Sequence, residues 1–142
     1  MIEWHDGAIP APQPASDGAV RDAERALRVR LPVDFLEVAR VHQGAAPVPA
    51  RIDLPDGAVT SVVHLLHFAD VPGFTNITAR IFPVAGVIDK GVIPFAEDVG
   101  GDLFCFNYRE TPETPSVAYW SVDTGLLPLA PNFTKFVEML HD

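Results

Sequence analysis

The side chains best suited to chemistry gather in residues 93–110, IPFAEDVGGDLFCFNYRE, where Glu97, Asp98 and Asp102 surround Gly100 and Gly101. Carboxylate oxygens are the ligands that Mg²⁺ and Ca²⁺ prefer, so a hard cation would be held here if anywhere. The spacing departs from an EF-hand loop, which needs a glutamate twelve places along; counted from Glu97, that place holds Tyr108. The same residues also suit a solvated turn whose aspartates bond nearby backbone amides, or an acidic patch offered to a partner. Paired carboxylates can cleave a glycoside, but with 9% aromatic residues there is little from which to line a sugar cleft. Trp4 and Trp120 read as packing residues.

His64 and His67, in VVHLLHF, would share a face on a helix and offer two zinc ligands. The flanking valines and leucines favour a strand, where residues three apart point to opposite faces. His5, His42 and His141 are scattered. Cys105 alternates with Leu103 and Asn107 and reads as a small buried hydrophobe; as the lone cysteine it forms no internal disulfide. A Gly-x-Ser-x-Gly elbow, a cysteine with a placed histidine and a phosphate-cradling glycine loop are all missing. No catalytic constellation emerges, and no cofactor is called for.

The net charge of −9 is unevenly spread. Through Arg51, six basic side chains nearly balance seven acidic ones; beyond it four face twelve, so that part carries −8. Such a field repels nucleic-acid phosphates and attracts a basic protein. The start, MIEWHDG, has neither the basic residues nor the apolar run of a secretory signal, and no stretch suits a membrane span. The expectation is a cytoplasmic protein without membrane partners.

These residues need elements to position them. Residues 1–15, rich in Pro, Ala and Gly, predict an extended arm that Trp4 and Ile9 can dock, followed by a single domain over 16–142. Ser16 can cap a helix that buries Val20, Ala23 and Leu27 opposite Arg21, Arg25 and Arg28. LPVDF opens a second helix, running to about His42, that buries Phe35, Leu36 and Ala39 and ends at Gly44. Asp56-Gly57 predicts a hairpin turn with both residues at positive φ, between ARIDL and VTSVVHLLHF. A loop with a short helical turn, stopped at Pro83, leads to a second hairpin, in which Val92–Phe95 and Leu103–Phe106 flank the acidic glycine turn. A further strand spans 115–122, and Asn132 caps a last helix burying Phe133, Phe136, Val137 and Leu140. The fold class is therefore α+β, an antiparallel sheet packed with N- and C-terminal helices. Its core should hold Ile93, Phe95, Leu103, Phe104, Phe106, Phe133, Phe136 and Leu140.

Three segments together resemble the SUKH superfamily: ERALRVRLPVDFLEVARVHQG, IPFAEDVGGDLFCFN and NFTKFVEML, in the family's order, over residues 24–140. Phe35 stands where the family usually has tyrosine, Gln43 where it has asparagine, and Asn132 where it has a small residue. The resemblance implies an immunity protein that binds and silences a cognate toxin, often a nuclease, or, as in fungal relatives, a regulator acting on endogenous partners. A metal-dependent hydrolase is the third alternative. Under the first reading Glu97, Asp98, Asp102, Glu110 and Glu113 are the expected charged contacts, with Asp53, Asp56 and Asp70 next. Replacing the first three by alanine should then leave stability nearly unchanged.

Overall fold

The computed structural model describes residues 2–7, 9, 11, 13–70 and 73–142. Six strands form an antiparallel meander: β3 (Arg51–Asp53), β4 (Val59–Leu65), β5 (Val92–Asp98), β6 (Leu103–Asn107), β7 (Ser116–Ser121) and β8 (Gly125–Ala130), each bonded to the next. A smaller sheet pairs β1 (Glu3–His5) with β2 (Ala46–Val48). The helices α1 (Asp17–Leu27), α2 (Val33–Ala39) and α3 (Phe133–Glu138) complete the α+β fold that the patterning predicts.

Alternation along the strands sorts side chains onto two faces. From β6, Phe104 and Phe106 join Phe95, Tyr119, Phe35, Phe133 and Phe136 in the main core under the helices, while Leu103 and Cys105 join Val92, Trp120 and Ile88 on the other face. Phe95 stacks on Phe106 at 4.3 Å and meets Phe35 and Phe133 edge-on at 5.6 and 5.8 Å, arrangements that suit aromatic quadrupoles. All eight expected core residues are buried.

The helix caps hold as expected. Ser16 Oγ accepts from Ala19 N at 3.0 Å and Asn132 Oδ1 from Lys135 N at 2.8 Å. α2 ends at Ala39, earlier than His42, and Gly44 follows at φ 74°, where an added Cβ would sit 3.2 Å from Ile9 Cβ. Trp4 stacks on Phe133 at 6.5 Å, so the first residues bear on the core through β1.

Two local expectations need correction. Only Gly57 has positive φ in the first hairpin, because Pro55 fixes its own φ near −65° and favours a type I turn, leaving the glycine to close the loop. Residues 125–130, which carry no strand in the sequence reading, form β8; Pro128 is tolerated because β8 is the sheet's edge.

Candidate functional site

In a meander, successive connections alternate between the two ends of the sheet. The β3–β4 turn (54–58), the β5–β6 turn (99–102) and the β7–β8 turn (122–124) therefore share one end; the β4–β5 connection and the β6–β7 loop lie at the other. The first end carries Asp56, Asp98, Asp102 and Asp123, and its three turns contain no Lys or Arg.

The β5–β6 turn is built around Asp98. Asp98 N–H donates to Asp102 O at 2.9 Å, Gly101 N–H to Asp98 O at 3.1 Å, and Gly101 takes φ 86°. The β3–β4 turn has the same form, with Leu54 N–H to Ala58 O at 2.8 Å, Gly57 N–H to Leu54 O at 3.0 Å and Gly57 at φ 91°. Both are three-residue loops closed by a left-handed glycine.

Asp98 itself faces inward, 5% exposed. Its Oδ1 accepts from Gly100 N–H (2.9 Å) and Asp102 N–H (2.8 Å), and its Oδ2 from Thr60 Oγ1 (2.9 Å) and Tyr119 Oη (2.7 Å). Four donors on one carboxylate amount to a caged anion whose charge is matched by bonds from two strands and a turn. The expectation of an outward contact at Asp98 therefore fails: its acceptor sites are occupied by the chain's own donors. With these bonds in place, truncating Asp98 is expected to cost stability rather than leave it unchanged.

Tyr119 Oη also lies 3.1 Å from Asp102 Oδ2. One hydroxyl hydrogen cannot serve two carboxylates fully, and the shorter contact to Asp98 takes most of it. Asp102 is thus partly buried beside a second anion, and burial first, then the Asp98 and Asp123 charges, raise its pKa above the ordinary carboxylate value against the opposing pull of Tyr119 and Arg80. Burial and the Asp98 bond likewise push the Tyr119 hydroxyl well above its usual range.

Glu97 is one-fifth exposed and paired: Arg80 Nε lies 3.2 Å from Glu97 Oε1, and Arg80 Nη2 donates to Gly101 O at 3.0 Å. His64 Nε2 stands 3.9 Å from the same carboxylate oxygen. Of the other nominated residues, Asp53 pairs with His141 Nε2 at 3.1 Å, and Asp56 Oδ1 accepts from Ala58 N–H at 3.0 Å. Glu110 and Glu113 are exposed on the β6–β7 loop at the opposite end, and Asp70 is exposed on the β4–β5 connection. The nominated set is therefore split, and only part of it can meet one partner face.

Thr60, Tyr119, Asp123 and Arg80 were missed. Aspartate at the first place and glycine at the fourth of DVGGD signal the caging turn, whereas nothing local announces that Arg80 reaches it. Also missed were Val99 and Val122, 74% and 78% exposed at the tips of two of the acidic turns.

His64 and His67 are both buried but engage different partners, Leu65 O (2.9 Å from Nδ1) and Thr75 Oγ1 (2.8 Å from Nε2). Among the described residues no three His, Cys, Asp or Glu side chains gather as a metal site requires. Among them, too, no helix is long and apolar enough to cross a membrane. Comparison with curated proteins finds no match. The family described as SMI1 / KNR4 (SUKH-1) matches residues 14–139, which takes in α1, the six-stranded sheet, the caged turn and α3. Over nearly its whole length, then, the chain belongs to the SMI1 / KNR4 family (SUKH-1).

Proposed function

We propose that this protein is a non-enzymatic, cytoplasmic immunity protein that binds a cognate toxin with a basic surface. The observation that carries the reading is the meeting of Asp56, Asp102 and Asp123 at one end of the sheet, interleaved with exposed Val99 and Val122. Apolar tips supply area that is dry once covered, and the carboxylates around them steer a cationic partner. Complementary fields of this kind raise association rates roughly 10- to 10³-fold. Family membership supports the reading, since the SUKH resemblance implies protein binding in both immunity and regulatory roles. Caging of Asp98 supports it in another way, by holding the turn's shape before any partner arrives, which lowers the ordering cost of association.

The test is co-expression of this chain with toxin-like proteins encoded beside it, followed by purification and measurement of association at two ionic strengths. Rescue of growth, a stable complex and an association rate that falls with salt are expected. Growth inhibition left unrelieved by every neighbouring candidate, together with stable capture of a housekeeping protein instead, would replace immunity by the regulatory role.

A further inference from the structure

His67 is fully buried, and both of its ring nitrogens are committed. Ala69 N–H donates to Nδ1 at 3.1 Å, so Nδ1 must be bare; Nε2 then carries the hydrogen and donates it to Thr75 Oγ1 at 2.8 Å. Only the neutral Nε2–H tautomer satisfies both contacts. An imidazolium would aim an Nδ1–H at the Ala69 N–H, two donors facing each other inside the protein.

The ring stands where two stretches of the chain form a parallel bridge, His67 opposite Asn76. His67 N–H donates to Thr75 O (3.1 Å) and Ile77 N–H to His67 O (2.8 Å). Asn76 continues the link: Nδ2 donates to Ala69 O at 2.8 Å, and Oδ1 accepts from Thr78 N–H at 2.7 Å and Ala79 N–H at 3.3 Å, where the 3-10 turn Ala79–Val84 begins. Arg80 N–H bonds Asn76 O at 3.0 Å, and the Arg80 side chain spans to Glu97 and Gly101. An unbroken series of contacts thus runs from the ring to the acidic turn.

We propose that His67 is a proton-operated latch: its neutral form fastens Ala69 and residues 75–80, and its protonation in mildly acidic solution loosens them, so that Arg80 releases Glu97 and Gly101. Burial, aided by the neighbouring His64, holds the ring's pKa below the ordinary histidine value. His64 acts on the ring directly, and the titratable and charged groups on the adjoining elements can be named. They are His64 on β4 and Glu97 on β5, Arg80 on the 3-10 turn, Asp70 on the segment itself, and the His42–Asp6 pair (3.0 Å) next to Gly44, whose added Cβ would stand 3.8 Å from His67 Cβ. None of the ion pairs among the described residues includes His67. The sign follows: a depressed folded-state pKa gives stability that is present above the unfolded value of about 6.5 and lost as pH falls through the folded value.

Amide hydrogen exchange on the full chain between pH 7 and 4.5, corrected for intrinsic rates, tests the latch. Protection of the Ala69 and Ile77 amides and of the Arg80 Nε–H should fall about tenfold per pH unit once the ring begins to titrate, while the Phe104 and Phe106 amides hold. His67→Asn, whose Oδ1 keeps an acceptor for Ala69 N–H and cannot titrate, should give a flat profile. Unchanged protection in the natural protein, or the same loss in His67→Asn, overturns the proposal. If that variant does not fold, ring ¹⁵N shifts of the natural protein decide: a ring titrating near 6.5 with the Ala69, Ile77 and Arg80 hydrogens still protected overturns it. The effect on toxin binding rests on the proposed function. Exchange that responds to pH while binding does not would retain the latch and reject the acidic end as the interface.

Discussion

Tyr119 on β7 reaches across β6 to place its hydroxyl 2.7 Å from Asp98 Oδ2 on β5, with Thr60 of β4 on the same oxygen at 2.9 Å. Each of these bonds to a buried charge contributes more than a neutral one, and losing the acceptor strands four donors. Asp98→Ala should therefore cost roughly 2 to 4 kcal/mol, and Tyr119→Phe, which removes one donor and leaves three, roughly 1 to 2 kcal/mol. Urea midpoints of the two variants read this directly. Equal midpoints for Asp98→Ala and the natural chain would mean the cage is decorative.

The same cage bears on metal binding. A divalent ion at Asp98 would have to displace four hydrogens already placed on its oxygens. Millimolar Mg²⁺, Ca²⁺ or Zn²⁺ should leave the melting temperature unmoved, since a ligand bound only by the folded form must raise it. A rise of several degrees with one of the three would restore the hydrolase alternative.

Exposed acids behave differently. Asp56, Asp123, Glu110 and Glu113 are all exposed. Replacing Asp56 and Asp123 by asparagine should change stability by no more than about 0.5 kcal/mol, yet slow association with a basic toxin and flatten its salt dependence. Glu110→Gln with Glu113→Gln, at the far end of the sheet, should leave the association rate alone. Stopped-flow rates for both pairs over a range of salt separate the ends, and the reverse ranking would move the interface to the β6–β7 loop.

Much of this fold is visible in the sequence because local chemistry and burial agree. Ser16 and Asn132 announce helix starts, and Phe133, Phe136 and Leu140 announce a buried face. β8 is hidden because Pro128 contradicts a strand unless one already knows it lies at the edge. The acidic turn is visible as a turn, but the direction of Asp98 is not, since the donors that draw it inward, Thr60 and Tyr119, stand 38 and 21 residues away in the chain. Charge counting finds an acidic surface. Which carboxylates belong to it depends on which connections fall at the same end of the sheet.

Asp102 makes a prediction about pH. Its folded-state pKa is raised, so the stability it contributes is fully present below its ordinary value of 3.8 and is lost as pH rises through the folded value. At pH 7 it is an anion held near Asp98 without full use of the Tyr119 hydrogen. Asp102→Asn should accordingly be more stable than the natural chain at pH 7, by up to about 1 kcal/mol, and the difference should shrink toward pH 3.5. Paired urea titrations at the two pH values check this; a variant less stable at pH 7 would show that the Tyr119 bond outweighs the repulsion.

Cys105 offers a probe of the whole domain. It is fully buried on the sheet face opposite the helices, among Val92, Leu103 and Trp120, and burial pushes its thiol far above the ordinary range. Thiolate is the reactive species, so attack by a disulfide reagent requires exposure as well as deprotonation. Labelling of the native chain at pH 8 should proceed only as fast as the sheet opens, and Phe104→Ala, which removes about 3 to 5 kcal/mol from the opposite face of the same strand, should accelerate it by orders of magnitude. Rapid labelling of the natural protein, indifferent to that substitution, would mean that the second face opens on its own, without the main core.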